Sequence, residues 1–313
     1  MLFKFQNESE WLQARKRNIN STETAALFGL SEWKSRLKLW HEKAGNIEPD
    51  DLTDNPFAKW GRRLQIPVGM GICEDHGWAG EDLSLFYFED ESCRLGSSMD
   101  IRAVCSDRGP GLLEVKTTGY FSEESGWFVD KAPIDYEFQI QTQMHLAIKQ
   151  GHDITWGAIG ALDGRKSDRL YFRQPDKELG AMIEEECKKF WRSVELNEPP
   201  EPDYLIDNDL LARLRGPVRV GEGVNLSRNN EAVSLIAEYV QLEETIFSAK
   251  ESIKPLELNK IRVKNRISSI MGNAERAIIG EYQVSAKEQH NEERFTPAYS
   301  FRRFDVKKTR KGR

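Results

Sequence analysis

Two carboxylates and one amine can meet at one end of a β-sheet in this sequence. Apolar residues recur with the two-residue period of a strand in both halves of residues 94–118, and a Gly- and Pro-rich turn, residues 107–111, divides the halves. We therefore predict an antiparallel hairpin. Asp100 lies in its first arm, and Glu114 and Lys116 share one face of its second arm because they are two residues apart.

This set of side chains suits the cleavage of phosphodiesters. The carboxylates of Asp100 and Glu114, together with a backbone carbonyl such as that of Val115, offer the hard oxygen ligands that Mg²⁺ prefers. A bound metal ion lowers the pKa of its water, and the ammonium of Lys116 can orient or activate that water. The alternative is an ordinary half-exposed sheet face, on which such residues are also common.

Two glutamines follow on a predicted helix. The sequence is typical of a helix from Pro133 to about residue 148, and Gln139 and Gln143 share one face of it because they are four residues apart. Amide side chains next to the carboxylates can hydrogen-bond water or phosphate oxygens without adding charge.

The elements that must position these residues predict an α/β sandwich, a central mixed β-sheet flanked by helices. The helix signals fall at residues 8–17, 23–28, 35–44, 57–77 and 176–196. We expect the fourth helix to be interrupted near Pro67, whose ring removes a donor. The strand signals outside the hairpin fall at residues 83–88, 154–162 and 168–173.

A proline-rich segment, residues 197–203, predicts a domain boundary. We divide the chain into a domain of residues 1–200 and a C-terminal extension of residues 201–313. In the extension we expect helices at residues 228–252 and 255–271, followed by short strands and a basic tail.

Composition is that of an ordinary globular protein, with 39% hydrophobic and 31% charged residues. No window approaches about 18 uninterrupted apolar residues, and the N-terminus lacks a signal-peptide core, so we expect a cytoplasmic protein without a membrane partner. The four cysteines are scattered without C-x-x-C spacing. This argues against a disulfide framework, a zinc site and an iron–sulfur cluster.

The net charge of −6 is unusual for a protein that binds DNA. The last thirteen residues hold seven basic residues and one acidic residue, so the rest of the chain is more acidic than the total. This tail is either a DNA contact or a solvated terminal charge run, and both interpretations stay open.

Six motifs occur in a fixed order. They are residues 11–15 (WLQAR), 19–33 (INSTETAALFGLSEW), 60–68 (WGRRLQIPV), the Asp100 strand, 113–118 (LEVKTT) and 138–144 (FQIQTQM). In this order they resemble the YqaJ-like viral recombinase family, which is related to lambda exonuclease within the PD-(D/E)XK nuclease superfamily. The resemblance implies a PD-(D/E)XK nuclease core, here with a helical and short-strand C-terminal extension.

The resemblance also implies roles for residues of the hairpin and the glutamine helix. Asp100 and Glu114 would ligate the metal. Lys116 would be the catalytic lysine, and Gln139 would be the motif glutamine. The implied metal is Mg²⁺, for which Mn²⁺ can substitute.

Other matched positions would bind DNA. Arg15 and Thr22 match positions that the resemblance implies for binding the terminal phosphate, while capping by Thr22 and a surface charge on Arg15 are the alternatives. Gln65 and Gln143 are further candidates for DNA or phosphate contacts. Gln65 stands where the family usually has Glu. Residues 121–124 (FSEE) lack the arginine that lambda-type enzymes place there.

These observations lead to a functional expectation, a metal-dependent DNA exonuclease of phage type. Only the resemblance implies digestion from 5′ to 3′ on linear duplex DNA, a partner recombinase that anneals the remaining 3′ strands, and a ring-shaped homotrimer. An endonuclease on the same fold and a catalytically silent DNA-binding or assembly subunit are the alternatives.

Overall fold

The computed structural model describes residues 2–4, 8–164, 168–217 and 219–285 of the 313. The chain divides into two compact units between Val218 and Arg219. Every candidate residue named above lies in the first unit. Among the described residues, no helix has the length and apolar character needed to cross a membrane.

The first unit combines strands and helices along its length. Its strands are β1 (Leu2–Lys4), β2 (Ile19–Asn20), β3 (Ala79–Asp82), β4 (Phe86–Asp90), β5 (Leu95–Ser98), β6 (Ile101–Cys105), β7 (Gly109–Thr118), β8 (Trp156–Asp163) and β9 (Asp168–Arg173). Its helices are α1 (Glu8–Arg17), α2 (Thr24–Leu27), α3 (Arg36–Lys43), α4 (Pro56–Asp75), α5 (Ile134–Lys149), α6 (Lys177–Glu195) and α7 (Asn208–Arg215).

The strands form two sheets. The larger sheet has the order β3-β6-β7-β8-β9, and the smaller has the order β1-β4-β5-β2. The larger sheet is mixed, because β7 and β8 are parallel while its other pairs are antiparallel. Helix α5 lies between β7 and β8 in the chain, as a parallel connection requires. The predicted mixed sheet flanked by helices is confirmed.

Strand β7 has one face toward α4 and the other toward α5. Leu113 and Val115 belong to a buried cluster with Ile72 of α4. Leu112, on the opposite face, belongs to a second cluster that contains Ile140 of α5. This alternation is the two-residue period of a strand, and it confirms that Glu114 and Lys116 share the face toward α5.

The hairpin prediction was wrong in its first arm. That arm is two strands in different sheets: β5 pairs with β4 in the smaller sheet, and β6 pairs with β7 in the larger. Strand β7 begins at Gly109, inside the predicted turn. Gly111 is needed for a close approach, because a Cβ there would lie 2.3 Å from the ring of Trp156. Met99 and Asp100 join the two sheets.

Several predicted boundaries were also wrong. Helix α4 is continuous through Pro67, since packing on the sheet on both sides of the proline offsets one missing donor. The short, exposed strand β3 was not predicted, and the strand predicted from residue 83 begins at Phe86. The helix predicted at residues 23–28 is a 3₁₀ turn, Ser21–Glu23, followed by the short α2.

The second unit contains one long helix, α8 (Asn230–Met271), and a hairpin of β10 (Arg276–Ile279) and β11 (Tyr282–Ser285). Two helices were predicted where α8 runs unbroken through Pro255. Helix α7, beyond the boundary predicted at residue 200, lies in the first unit. The strands predicted after residue 285 and the basic tail lie outside the described residues.

Candidate active site

Asp100 lies at the junction of the two sheets, and its carboxylate is held on both oxygens. The Val115 backbone N–H donates to Oδ2 at 2.7 Å, and the Gln65 amide of α4 donates to Oδ1. The Asp100 side chain is buried. Because the N–H and C=O of one strand residue point to the same side, the Val115 carbonyl also points toward the Asp100 side of β7.

Glu114 is the centre of a hydrogen-bonded group on the face of β7 that is turned toward α5. Its Oε1 accepts from the Lys116 ammonium at 2.6 Å and from the Gln139 amide at 2.7 Å, and its Oε2 accepts from the Gln143 amide at 2.6 Å. The Lys116 ammonium also donates to Gln139 Oε1 at 3.0 Å. The same ammonium lies 4.6 Å from the centroid of the Tyr136 ring. Side chains of helix α5 therefore hold both Glu114 and Lys116 of β7 in place.

Burial and neighbouring charges raise the pKa values of both Asp100 and Lys116. Burial raises the pKa of Asp100 well above its usual value, and the negative charge of Glu114 raises it further. Burial alone would lower the pKa of Lys116, but the charges of Glu114 and Asp100 outweigh burial and raise it. In the absence of a bound cation, Lys116 is therefore an ammonium at neutral pH.

Arg15 and Thr22 form a second group beside the first. Arg15 Nη2 donates to Thr22 Oγ1 at 3.2 Å, and the Arg15 guanidinium lies 4.8 Å from the centroid of the Trp11 ring. The Trp11 indole donates to Ser98 Oγ at 2.8 Å, and Gln143 donates to the Ser98 carbonyl at 3.2 Å. Ser98, two residues before Asp100, thus connects the two groups.

A cluster of charged side chains with little solvent exposure holds the 3₁₀ turn that contains Thr22. Glu23 Oε2 accepts from the Lys43 ammonium at 2.7 Å and from both the backbone and the side-chain nitrogen of Asn20 at 2.9 Å. The Lys34 ammonium lies 3.5 Å from Glu23 Oε1. Burial would raise the pKa of Glu23, but the charges of Lys43, Lys34 and Arg15 lower it from its usual 4.5 to about 2.

These residues border a cavity of about 560 Å³. Its basic lining residues are Arg15, Lys16, Lys34, Lys38 and Lys43, and its acidic lining residues are Glu23, Glu42 and Asp50. Thr22 and the exposed Trp33 also line it. The volume falls within the roughly 300–1,000 Å³ of small-molecule sites.

The oxygen ligands available to a metal are few. In the described part of the chain, no group of three or more His, Cys, Asp and Glu side chains could hold a metal ion. The local oxygen donors are the carboxylates of Asp100 and Glu114, the Val115 carbonyl and the side-chain amide of Gln65, which contacts Asp100.

The predicted residues thus fall into two sets. Contacts join Asp100, Glu114, Lys116, Val115, Gln65, Gln139 and Gln143 in one set, and Arg15 with Thr22 in the other. Gln143 is only 1% exposed, which favours a role in holding Glu114 over the phosphate contact predicted for it.

Sequence reasoning missed Ser98, Trp11, Tyr136 and the Glu23 cluster. Tyr136 had a readable signal, since it precedes Gln139 by three residues and so shares its helix face. The contact of Ser98 with Trp11 joins residues 87 positions apart and has no local signal.

Comparison with known proteins identifies a matching family model and a similar sequence. Residues 10–150 match the family model of the YqaJ-like viral recombinase domain. The match confirms the resemblance drawn from the six motifs, and its span includes every candidate site residue. The chain is also 24% identical over 281 residues to the uncharacterized protein YqaJ of Bacillus subtilis strain 168, covering 90% of this chain and 83% of that one.

Two solved structures are also similar. The alkaline exonuclease LHK-Exo of Laribacter hongkongensis has 18% identity and a TM-score of 0.46, covering 65% of this chain and 100% of that one. A phage-related exonuclease of Haemophilus somnus 129PT has 14% identity and a TM-score of 0.39, covering 57% of this chain and 96% of that one.

Proposed function

We propose that this protein is a metal-dependent DNA exonuclease that digests linear duplex DNA from its 5′ ends. The observation that carries the proposal is the grouping of two buried carboxylates, Asp100 and Glu114, with the ammonium of Lys116, beside a cavity lined by five basic and three acidic residues. Two buried carboxylates side by side destabilise each other electrostatically. Such an arrangement is typical of catalytic sites rather than of structural ion pairs. The match to a viral recombinase domain supports DNA as the substrate.

The residues at the site fit a divalent cation. Two buried carboxylates with like charge, one with its pKa raised by burial and by the other, form a site that a cation would stabilise. Asp100, Glu114 and the Val115 carbonyl would hold it, and Gln65 could contribute a neutral oxygen. When bound, Mg²⁺ or Mn²⁺ would neutralise charge on the phosphate and lower the pKa of a water.

Lys116 would orient or activate the attacking water. Its side-chain nitrogen contacts Glu114 and Gln139, and it can hydrogen-bond that water or a phosphate oxygen. Gln139 holds this ammonium against Glu114, and the Tyr136 ring covers one side of it. The position of the Lys116 ammonium is therefore fixed by protein groups before substrate binds.

Arg15 and Thr22 would bind the phosphate at the 5′ end. A guanidinium offers forked N–H donors that match phosphate oxygens, and a hydroxyl beside it adds another donor. Because Ser98 links this pair to Gln143 and thereby to Glu114, the terminal phosphate would be held at a set distance from the bond that is cut.

The resemblance adds three finer elements to the proposal. They are the 5′ to 3′ direction, a partner recombinase that anneals the 3′ strands, and a ring-shaped trimer. Native mass measurement tests the trimer. Co-purification with a single-strand annealing protein encoded in the same genome tests the partner.

The decisive experiment compares linear, 5′-phosphorylated duplex with closed circular DNA, each with Mg²⁺ or with EDTA. We expect nucleotides to be released from the linear DNA only, and only with Mg²⁺. Glu114→Gln should abolish release, while Glu185→Gln, on the exposed face of α6, should not. Lys116→Ala should bind metal but lose turnover. Lys189→Ala, the matched control, should keep its turnover.

Other outcomes would favour the alternatives. Cutting of the closed circle indicates an endonuclease. DNA binding without cleavage under any metal indicates a catalytically silent subunit. Release of nucleotides by Glu114→Gln at the wild-type rate would refute the assignment of the site.

A further inference from the structure

An exposed tryptophan lies between the cavity and the candidate catalytic lysine. Trp33 belongs to the loop between α2 and α3, and 60% of its surface is exposed. Its ring centroid lies 5.4 Å from that of Tyr136, at an interplanar angle of 45°. The Lys116 ammonium lies 4.6 Å from the centroid of the same Tyr136 ring. A single aromatic ring therefore separates the exposed indole from the ammonium.

The backbone of Trp33 is held although its ring is exposed. Ser31 Oγ accepts from the backbone N–H groups of Trp33 and Lys34, at 3.2 and 3.3 Å. The Lys34 ammonium is bonded to Glu42 at 2.5 Å. A fixed loop that presents an aromatic ring to solvent loses little conformational entropy when that ring binds a ligand. The loop is thus arranged as a binding surface.

The surroundings of Trp33 select one class of ligand. Its ring lines the cavity of about 560 Å³ together with Arg15, Thr22 and Lys34. Cations bind phosphates, and an aromatic face binds the π-face of a nucleobase whatever its identity. A nucleotide carries both groups, whereas an isolated phosphate would make no use of the ring.

We propose that Trp33, supported by Tyr136, stacks on the base of the 5′-terminal nucleotide of the strand being cut. This inference rests on the proposed exonuclease function, and it assigns the base of the terminal nucleotide a site that is separate from its phosphate. Stacking would fix the nucleotide between Arg15 and Lys116. Because every base has a π-face, the site would accept all four nucleotides.

The test removes the ring and the base separately. Affinity is measured in EDTA for 5′-phosphorylated duplexes that carry either a normal nucleotide or an abasic residue at the 5′ terminus. For the wild type, loss of the base should weaken binding roughly five- to hundredfold. Trp33→Ala should bind both duplexes equally, and Trp33→Phe should keep part of the difference. Tyr204→Ala, an exposed aromatic that does not line the cavity, should behave as the wild type.

Two results would overturn the stacking site. They are an undiminished preference for the normal terminus in Trp33→Ala, and a wild type that binds both duplexes equally. Digestion of linear duplex with Mg²⁺ is measured on the same preparations. If the wild type digests DNA and either result is obtained, only the stacking is refuted. A wild type that neither binds nor digests DNA refutes the proposed function as well.

Discussion

Replacing Glu23 by glutamine should destabilise the first unit strongly, and in a manner that depends on pH. The variant keeps the shape of the side chain but removes the charge that faces Lys43 and Lys34. Lys43 has only 5% of its side chain exposed, so its ammonium would be left buried without its main partner. Breaking a buried pair in this way costs about 3–5 kcal/mol.

The pKa of Glu23 gives an independent value for the contribution of its charge to the free energy of unfolding. Folding lowers this pKa from 4.5 to about 2, which corresponds to about 3 kcal/mol of stability at pH 7. A carboxyl with a lowered folded pKa contributes this stability above its unfolded pKa and loses it as the pH falls toward its folded pKa. At pH 3 the contribution of Glu23 should be about 1 kcal/mol.

The assay is urea unfolding followed by tryptophan fluorescence at pH 7 and at pH 3. Glu48→Gln is the matched control, because Glu48 pairs with Lys16 at 2.8 Å but has 82% of its side chain exposed, and surface pairs contribute only about 0–1 kcal/mol. Glu23→Gln should lose far more stability than Glu48→Gln at pH 7. Equal losses, or a difference from the wild type that does not narrow at pH 3, would refute the reasoning.

Three further predictions concern the proposed metal site and its support. Asp100→Asn should raise the thermal unfolding midpoint in EDTA at pH 8. A carboxyl whose pKa is raised on folding destabilises the folded protein as the pH rises above its usual pKa of 3.8, and the amide removes this effect. At pH 3 the variant should have the same midpoint as the wild type. Gln65→Glu places a third carboxylate beside Asp100, so it should lower the midpoint in EDTA and increase the stabilisation by Mg²⁺; an unchanged metal titration would show that the side chain does not reach the site. Gly69→Ala would put a Cβ 2.3 Å from Ile101 and should cost about 1–3 kcal/mol in urea unfolding, whereas Gly71→Ala meets no atom within 4 Å and should cost nothing.

Local patterns were sufficient to predict which side chains of β7 and of α5 share a face. The two-residue spacing of Glu114 and Lys116 and the four-residue spacing of Gln139 and Gln143 fix which side chains share a face, whatever the rest of the fold does. The structure then brings both faces together, since α5 packs on the side of β7 that carries Glu114.

Contacts between distant segments could not be predicted in the same way. A continuous period across residues 94–105 does not reveal that β5 and β6 pair with different neighbours, because pairing depends on partners elsewhere in the chain. Proline was given too much weight at Pro67 and Pro255, where the helices continue. The Glu23 cluster joins α3 to the 3₁₀ turn that contains Thr22 through buried charges. The sequence alone does not show which of its many charged residues are buried.

The junction at Met99 and Asp100 has a consequence for how the protein would fail. The two sheets share one buried cluster, to which Phe88 and Leu95 contribute from the smaller sheet and Leu112 from the larger. Ser98, at the end of β5, connects Trp11 with Gln143 only while that shared surface stays closed. Mild heat or denaturant that loosens the smaller sheet would displace Ser98 while Asp100 stays bonded to Val115 of β7 and Gln65 of α4. Loss of the proposed activity would then precede the loss of secondary structure, and strands that carry none of the candidate catalytic side chains would set the upper temperature limit of that activity.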